Sequence, residues 1–326
     1  YRYYNYTVNE NGELRRYGRD PRHYSTDFMT ARSTAIVERL APRPEPFFLS
    51  VNYLAPHTGG PWEPGDPIGL GTPAVADRHR DAFPGARLPR GPAFNELDIS
   101  DKPRWLRRPF IGARRMSVLE SLHRQRLQSL LAVDEGVERI VEALRATGEL
   151  DRTLLIFVSD NGYLLGEHRL AAGKAKVYDA AARVPLLMRG PGVPAGSRPT
   201  QLVNNADITA TIVDAARARP GRILDGLSLL PLARDPALAK GRPVMLEVAK
   251  GRRFRTTAVR TKRWLYAEHR DGSRELYDLL RDPAQIDSRH ADPGYTLVRQ
   301  LLAQRLRDLR DCRGASCRVP VGPGIR

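Results

Sequence analysis

Apolar positions along the chain change period several times, and each change marks an element. Between Thr26 and Leu40 the residues Phe28, Ala31, Ala35, Ile36 and Leu40 recur at roughly helical spacing, which predicts a helix. The run from Phe47 to Leu54 is short, mostly apolar and flanked by prolines, the pattern of a buried parallel strand, and it ends at Ala55-Pro56-His57. From Met116 to Thr147 leucines, valines and isoleucines return every three or four positions, so one long helix or two is expected, with Gly148 as the stop. Thr153–Val158 and Val184–Met188 read as two further buried strands. The first runs into Ser159-Asp160-Asn161-Gly162 and the second into Gly190-Pro191-Gly192. Asp207 to Ala216 is a further helix.

Strands alternating with helices in this order predict an α/β fold, a mainly parallel sheet flanked by helices, over residues 1–240. From about residue 241 the texture changes. Val244–Val248, Arg255–Arg260 and Trp264–Glu268 are short strands with a tight turn at Asp271-Gly272, followed by a helix from Tyr295 to Leu309. A small C-terminal subdomain, an antiparallel sheet plus a helix, is therefore expected over residues 241–326. Residues 1–25 read as a loop or short hairpin turning at Asn11-Gly12. Residues 58–113 form a long Gly-, Pro- and Arg-rich connection, and a loop of that length in a compact domain is usually functional. There are no internal repeats and no low-complexity tracts.

Composition adds limits. The 326 residues are 41% hydrophobic, enough for a sizeable core. No stretch approaches the ~20 uninterrupted apolar residues of a membrane span. The opening Tyr-Arg-Tyr-Tyr-Asn-Tyr is not a leader, so either one has been removed or the chain begins inside a longer protein. The net charge of +16 first suggests nucleic acid. Only six basic residues are lysines, however, and the 47 arginines are scattered apart from short clusters such as Arg252, Arg253 and Arg255. No nucleic-acid reader motif accompanies them, so attraction to a polyanionic substrate is the better use of the charge, with a solvated surface as the default. The spacing of Cys312 and Cys317 favours a small disulfide loop in an exported protein over half a zinc site, since no histidines stand nearby. The sequon Asn5-Tyr6-Thr7 has meaning only where secreted proteins are glycosylated.

In open α/β sheets ligands gather at the carboxyl ends of strands. Two predicted strands end in chemically capable residues, one in His57 and the other in Asp160-Asn161. A carboxylate beside an amide oxygen supplies hard donors that suit calcium or magnesium. Asp-Asn-Gly by itself is an ordinary turn. Its surroundings are more specific: Ser159-Asp160-Asn161-Gly162-Tyr163-Leu164-Leu165-Gly166-Glu167-His168-Arg169, then Gly173-Lys174, Tyr178-Asp179 and Arg183-Val184-Pro185.

This text resembles the sulfatase family of the alkaline phosphatase superfamily, in particular its N-acetylglucosamine-6-sulfatase-like branch. Similar segments run in order along nearly the whole chain: Tyr3-Tyr4-Asn5-Tyr6-Thr7, Tyr24-Ser25-Thr26-Asp27, Ala55-Pro56-His57, Phe94-Asn95-Glu96, Ser100-Asp101-Lys102-Pro103, Val133-Asp134-Glu135 and Glu275-Leu276-Tyr277-Asp278-Leu279. The resemblance implies that Asp160 and Asn161 are calcium ligands. It implies that His57 contacts the sulfate and protonates the departing sugar oxygen, that Lys174 binds sulfate oxygens, and that His168 lies near the substrate. It also implies a sulfated-sugar substrate and a location outside the cytoplasm. The family's formylglycine nucleophile, made in a Cys/Ser-x-Pro-x-Arg motif, has no counterpart here, and neither do the first Asp-Asp metal pair and the early Gly-Lys segment. The expectation is thus a chain matching the C-terminal two thirds of such an enzyme, inactive alone, poor in calcium affinity and prone to aggregate at exposed sheet edges. The alternatives are a phosphate- or phosphonate-ester hydrolase of the same superfamily and a non-catalytic protein that binds sulfated glycans.

Overall fold

The structure, a computed structural model, describes residues 1–238, 241–250, 253–322 and 324–325. The chain separates into two compact units, residues 1–89 with 111–153 and residues 90–110 with 154–326.

The first unit opens with a hairpin of β1 (Tyr6–Glu10) and β2 (Glu13–Tyr17), turned at Asn11-Gly12, both with positive φ as a two-residue hairpin turn requires. Helix α1 (Ser25–Leu40) packs against the 34-residue α2 (Ala113–Ala146), a single continuous helix. At their crossing Thr30 Oγ1 lies 3.0 Å from the Tyr53 hydroxyl, and Gly136 of α2 leaves the room for both, because a methyl there would strike each oxygen. Tyr3, Tyr4 and Tyr24 form the aromatic part of the core with Ala132 and Val133. Arg78 joins the two helices by bonding both oxygens of Asp27 (2.7 and 2.8 Å) and Oε2 of Glu135. α2 ends at Gly148, whose φ of +75° lets the chain reverse while Glu149 N–H bonds Leu144 C=O.

The predicted strand Phe47–Leu54 joins no ladder among the described residues. Its burial nevertheless alternates, with Phe47, Leu49, Val51 and Tyr53 turned inward and Phe48, Ser50 and Asn52 outward. The backbone is strand-like, but a strand also needs a hydrogen-bonded neighbour, and periodicity cannot supply one.

In the second unit β3 (Leu155–Val158) leads through residues 159–178 to the short α3 (Asp179–Ala182) and then β4 (Leu186–Arg189). β3 and β4 pair antiparallel, Leu155 with Arg189 and Val158 with Leu186. Among the described residues every ladder between named strands is antiparallel, this one included. The connection explains it, since residues 159–185 fold back on themselves through a Leu164–Gly173 bridge and contain only one helical turn, whereas a parallel neighbour needs a full crossover.

Helix α4 (Asn205–Ala215) is capped by Asn204, and its Asp207 carboxylate, wholly buried, also takes the Leu227 N–H (2.8 Å) and the Arg242 guanidinium. After α5 (Leu230–Arg234) come β5 (Val244–Lys250), β6 (Arg253–Arg260), β7 (Trp264–His269) and β8 (Arg274–Asp278), an antiparallel meander of four strands rather than three, and then α6 (Thr296–Arg310). Alternation along β7 puts Trp264 and Tyr266 against Leu302, Leu306 and Leu309 of α6, and Leu265 and Ala267 against Leu106, Val177 and Tyr178. Both faces of the strand are therefore covered, as its near-continuous burial shows. Cys312 and Cys317 are joined, as expected, and close the end of α6. Arg252 and Lys240 lie outside the described residues. No helix among those described is long and apolar enough to cross a membrane.

Candidate active site

Residues 159–176 leave the carboxyl end of β3 and carry most of the chemically capable side chains. Gly162 is needed there for space: its N–H bonds Ala181 C=O at 2.9 Å, and a β-carbon would collide with the Ala180 carbonyl. Asn161 spends its amide N–H on Gly162 C=O (3.3 Å), which leaves Oδ1 to a ligand. The Asp160 carboxylate is exposed and makes no hydrogen bond or ion pair among the described residues. Neither does the half-buried Lys174 ammonium, next to a Gly173 with φ of +140°.

Between these two, Glu167, His168 and Arg169 are engaged. Glu167 Oε2 accepts the Leu165 N–H at 2.7 Å, while His168 and Arg169 both stand in the left-handed region, with φ of 52° and 59°. Arg169 donates to Glu96 C=O (2.7 Å) and Leu97 C=O (2.6 Å). His168 is 4% exposed, its Nδ1 is 2.7 Å from Glu96 Oε2, and its ring lies 4.1 Å from that of Tyr178. The other Glu96 oxygen takes Lys102 Nζ at 3.0 Å. Lys102 also bonds Asp101 and Ile286 C=O, and Asp101 accepts the Ser288 N–H at 2.6 Å.

A second buried carboxylate continues this system. Glu275 receives the hydroxyls of Tyr178 (2.7 Å) and Tyr277 (2.5 Å) on Oε2 and His269 Nε2 on Oε1 (2.8 Å). Burial by itself would raise its pKa, but the hydrogen bonds from His269, Tyr277 and Tyr178 outweigh that and hold it below the usual value. Burial and then the Glu275 charge push both tyrosine hydroxyls far up, so they remain donors.

His57 belongs to the first unit. Its Nδ1 is 2.7 Å from Thr58 C=O, an oxygen that only accepts, so Nδ1 carries the proton and Nε2 is the reactive nitrogen. Three contacts fix its backbone: its N–H bonds Leu54 C=O (2.9 Å), its carbonyl takes the Tyr3 hydroxyl (2.7 Å), and Arg126 Nη1 holds Pro56 C=O (3.0 Å). The Tyr1 ring lies 4.4 Å from the imidazole. A cleft of about 380 Å³ in the same unit, lined by Arg22, Asp27, Ala31, Arg78, Glu135 and Arg139, contains none of the predicted site residues.

The second unit thus brings Asp160, Asn161, His168 and Lys174 together on one connection. Glu96, Lys102 and Glu275 were missed as site-supporting residues. Their signal was available in the quoted segments Phe94-Asn95-Glu96, Ser100-Asp101-Lys102-Pro103 and Glu275-Leu276-Tyr277-Asp278-Leu279, which meet around His168 and Tyr178. The donor set of Asp160 and Asn161 suits calcium in kind but not in number. Calcium takes about six to eight oxygens, and no group of three or more His, Cys, Asp or Glu gathers among the described residues.

Comparison with known proteins shows the family of the chain. The sulfatase family model matches residues 1–218, and that of the N-sulphoglucosamine sulphohydrolase C-terminal region matches residues 166–312. An arylsulfatase of Volvox carteri is 32% identical over 92% of this chain and 53% of its own length. The N-acetylglucosamine-6-sulfatase of Homo sapiens is 31% identical over 100% of this chain and 63% of its own length. The chain therefore spans little more than half to three fifths of these relatives. Among solved structures, a protein in complex with its substrate D-glucosamine-2-N,6-O-disulfate superposes with a TM-score of 0.75 at 21% identity, covering 97% of this chain and 74% of that one. The phosphonate monoester hydrolase of Agrobacterium radiobacter gives 0.67 at 23% identity, covering 90% and 62%. These likenesses show the fold, the α/β architecture of the alkaline-phosphatase-like sulfatases with its small antiparallel sheet and C-terminal helix.

Proposed function

Because the chain belongs to the sulfatase family, we propose that it is the part of a sulfate-ester hydrolase that holds the second half of the metal shell and the leaving-group side of the site, acting on sulfated sugars of the N-acetylglucosamine-6-sulfate type. One observation carries this reading. On a connection where Glu167, His168 and Arg169 are tied down internally, the Asp160 carboxylate and the Lys174 ammonium make no hydrogen bond or ion pair among the described residues. Charged groups free of protein partners in such a frame are available to a ligand.

Asp160 and Asn161 would give two oxygens to a calcium ion, whose charge would offset that of the bound sulfate; two ligands do not close its shell. Lys174 faces the sulfate oxygens and stabilises charge as it develops on the bridging oxygen. His57 donates a proton to the departing sugar oxygen from Nε2. It can do so only as imidazolium, with Nδ1–H held by the Thr58 carbonyl so that Nε2 faces the leaving group. His168 positions the substrate end through its bond to Glu96.

No Cys/Ser-x-Pro-x-Arg occurs in the 326 residues, and both cysteines are in the disulfide, so this polypeptide alone turns over nothing. We assign residues 1–240 to the catalytic domain and 241–326 to a C-terminal subdomain. A disulfide fits a compartment outside the reducing cytoplasm. The likeness to a phosphonate monoester hydrolase supports a second reading, cleavage of phosphate or phosphonate esters at the same site.

The test compares aryl sulfate with aryl phosphonate, with and without calcium, using the polypeptide encoded in frame from upstream through Tyr1. Calcium-dependent sulfate cleavage, lost in Lys174→Ala and His57→Ala, is expected. Preference for the phosphonate establishes the second reading, and tight binding of sulfated glycan without turnover of either ester establishes a binding protein.

A further inference from the structure

Outside the residues assigned above, the second unit carries a group of cations without counter-charge. Arg242, Arg260, Arg263, Arg289 and Arg310 each hold a carboxylate. Arg108, Lys176 and Arg255 make no ion pair among the described residues. Arg108 spends Nη1 on the carbonyls of Trp105 and Arg107, both at 3.0 Å, which leaves its other N–H groups available. Lys176 Nζ makes only a long bond to Ala175 C=O (3.3 Å) and stands 6.0 Å from the centroid of the Trp105 ring. Arg255 is next in sequence to Thr256, whose ladder partner His269 packs against the Trp105 ring, and burial first and then the charges of Arg108 and Arg255 lower the Lys176 pKa.

The aromatic platform beside them is held in place. Trp105 is 37% exposed and packs edge-on against His269 at 5.3 Å. Arg169 lies 4.9 Å over the Phe110 ring while bonding Glu96, Leu97 and Arg108 carbonyls, and so secures both ends of the segment between them.

We propose that Trp105, Arg108, Lys176 and Arg255 form a subsite for a sulfated sugar ring of a polysaccharide, the pyranose face on the indole and the sulfate among the three cations. An unpaired cation cluster is self-repelling when empty, and a bound anion relieves that repulsion. A half-exposed indole offers the flat apolar face that a ring's axial C–H groups need. The choice of sugar rests on the sulfatase reading; the anion-and-ring chemistry does not.

The experiment is calorimetric titration of the 326-residue chain with a heparin-derived hexasaccharide, its desulfated counterpart and a single-stranded oligothymidylate. The variants are Lys176→Gln, Arg255→Gln, Trp105→Leu and Lys174→Ala, each checked for native circular dichroism. Lys176→Gln is expected to weaken hexasaccharide binding about tenfold, the scale of one charge-assisted hydrogen bond. Trp105→Leu should weaken it about fivefold, with the desulfated sugar binding far more weakly throughout. No binding by the parent chain, or unchanged affinity in folded Lys176→Gln, Arg255→Gln and Trp105→Leu alike, overturns the subsite. Equal or tighter binding of the oligothymidylate, lost in the same variants, overturns it in favour of a nucleic-acid phosphate surface. Loss in Lys174→Ala alone leaves the sulfatase reading standing without this subsite, whereas loss in Lys176→Gln and Trp105→Leu alone establishes the subsite and removes Lys174 from the sulfate site.

Discussion

At the scale of single residues, engagement separates structural from functional side chains. Glu96 is 3% exposed and is shared by His168 and Lys102, so Glu96→Ala would break a buried ion pair, taking one of two carboxylates from the Lys102 ammonium and the partner from His168. Breaking a buried pair in this way costs about 3–5 kcal/mol, and chemical denaturation should show a loss on that scale. Asp160 and Lys174 touch nothing comparable. Asp160→Asn and Lys174→Ala are expected to leave the unfolding free energy within about 0.5 kcal/mol of the parent, while Lys174→Ala weakens sulfate binding at its own site and leaves the Lys176 subsite intact. A stability loss in Lys174→Ala as large as that in Glu96→Ala would show that Lys174 is part of the frame. The motif text could not draw this distinction. Asp160, His168 and Lys174 lie within fifteen residues, and the sequence carries no mark that the middle one is buried against Glu96, a residue 72 positions earlier.

At the scale of elements, sequence periodicity succeeded where one neighbour covers one face. α1, α2 and α6 lie within a few residues of where their apolar spacing puts them, and the Asn11-Gly12 hairpin forms where that dipeptide predicts. It failed where the result depends on a partner. Phe47–Leu54 has the alternation of a strand and no ladder among the described residues, β3 and β4 run antiparallel, and β8 was passed over because its charged text hides Leu276 and Tyr277, which are wholly buried. The β3–β4 pair also exposes Leu187 (62%) and Phe157 (41%). Open edges beside exposed apolar side chains promote edge-to-edge association. Leu187→Lys should therefore raise the monomeric fraction in light scattering at fixed concentration; no change would locate any self-association elsewhere. The disulfide after α6 closes a short loop, for which the chain-entropy estimate is about 2 kcal/mol. The double variant Cys312→Ser, Cys317→Ser should lose that much stability, with the loss confined to the C-terminal packing around Leu309.

At the scale of the whole molecule, the second unit depends on a chain of buried polar groups running from Lys102 through Glu96 and His168 to Tyr178, Glu275 and His269. Such a core is sensitive to acid, and the sign follows from the shifts. Glu275 titrates in the fold below its ordinary 4.5, so its stabilising contribution is complete above that pH and is lost as pH falls through the lowered value. His290 and His123 are also lowered from 6.5, in both cases chiefly by burial, so the unfolded chain binds protons first and stability already declines as pH drops below 6.5. Thermal unfolding followed from pH 8 to pH 3 should show a shallow fall beginning near 6.5 and a steeper one below 4.5. Glu275→Gln keeps an acceptor for Tyr178 and Tyr277 but cannot ionise. It should melt lower at neutral pH, retain the shallow histidine limb and lose the steep acidic one. If the variant and the parent descend in parallel below pH 4.5, the acid lability resides in other carboxylates, and the buried Glu275 network is not what holds the second unit together.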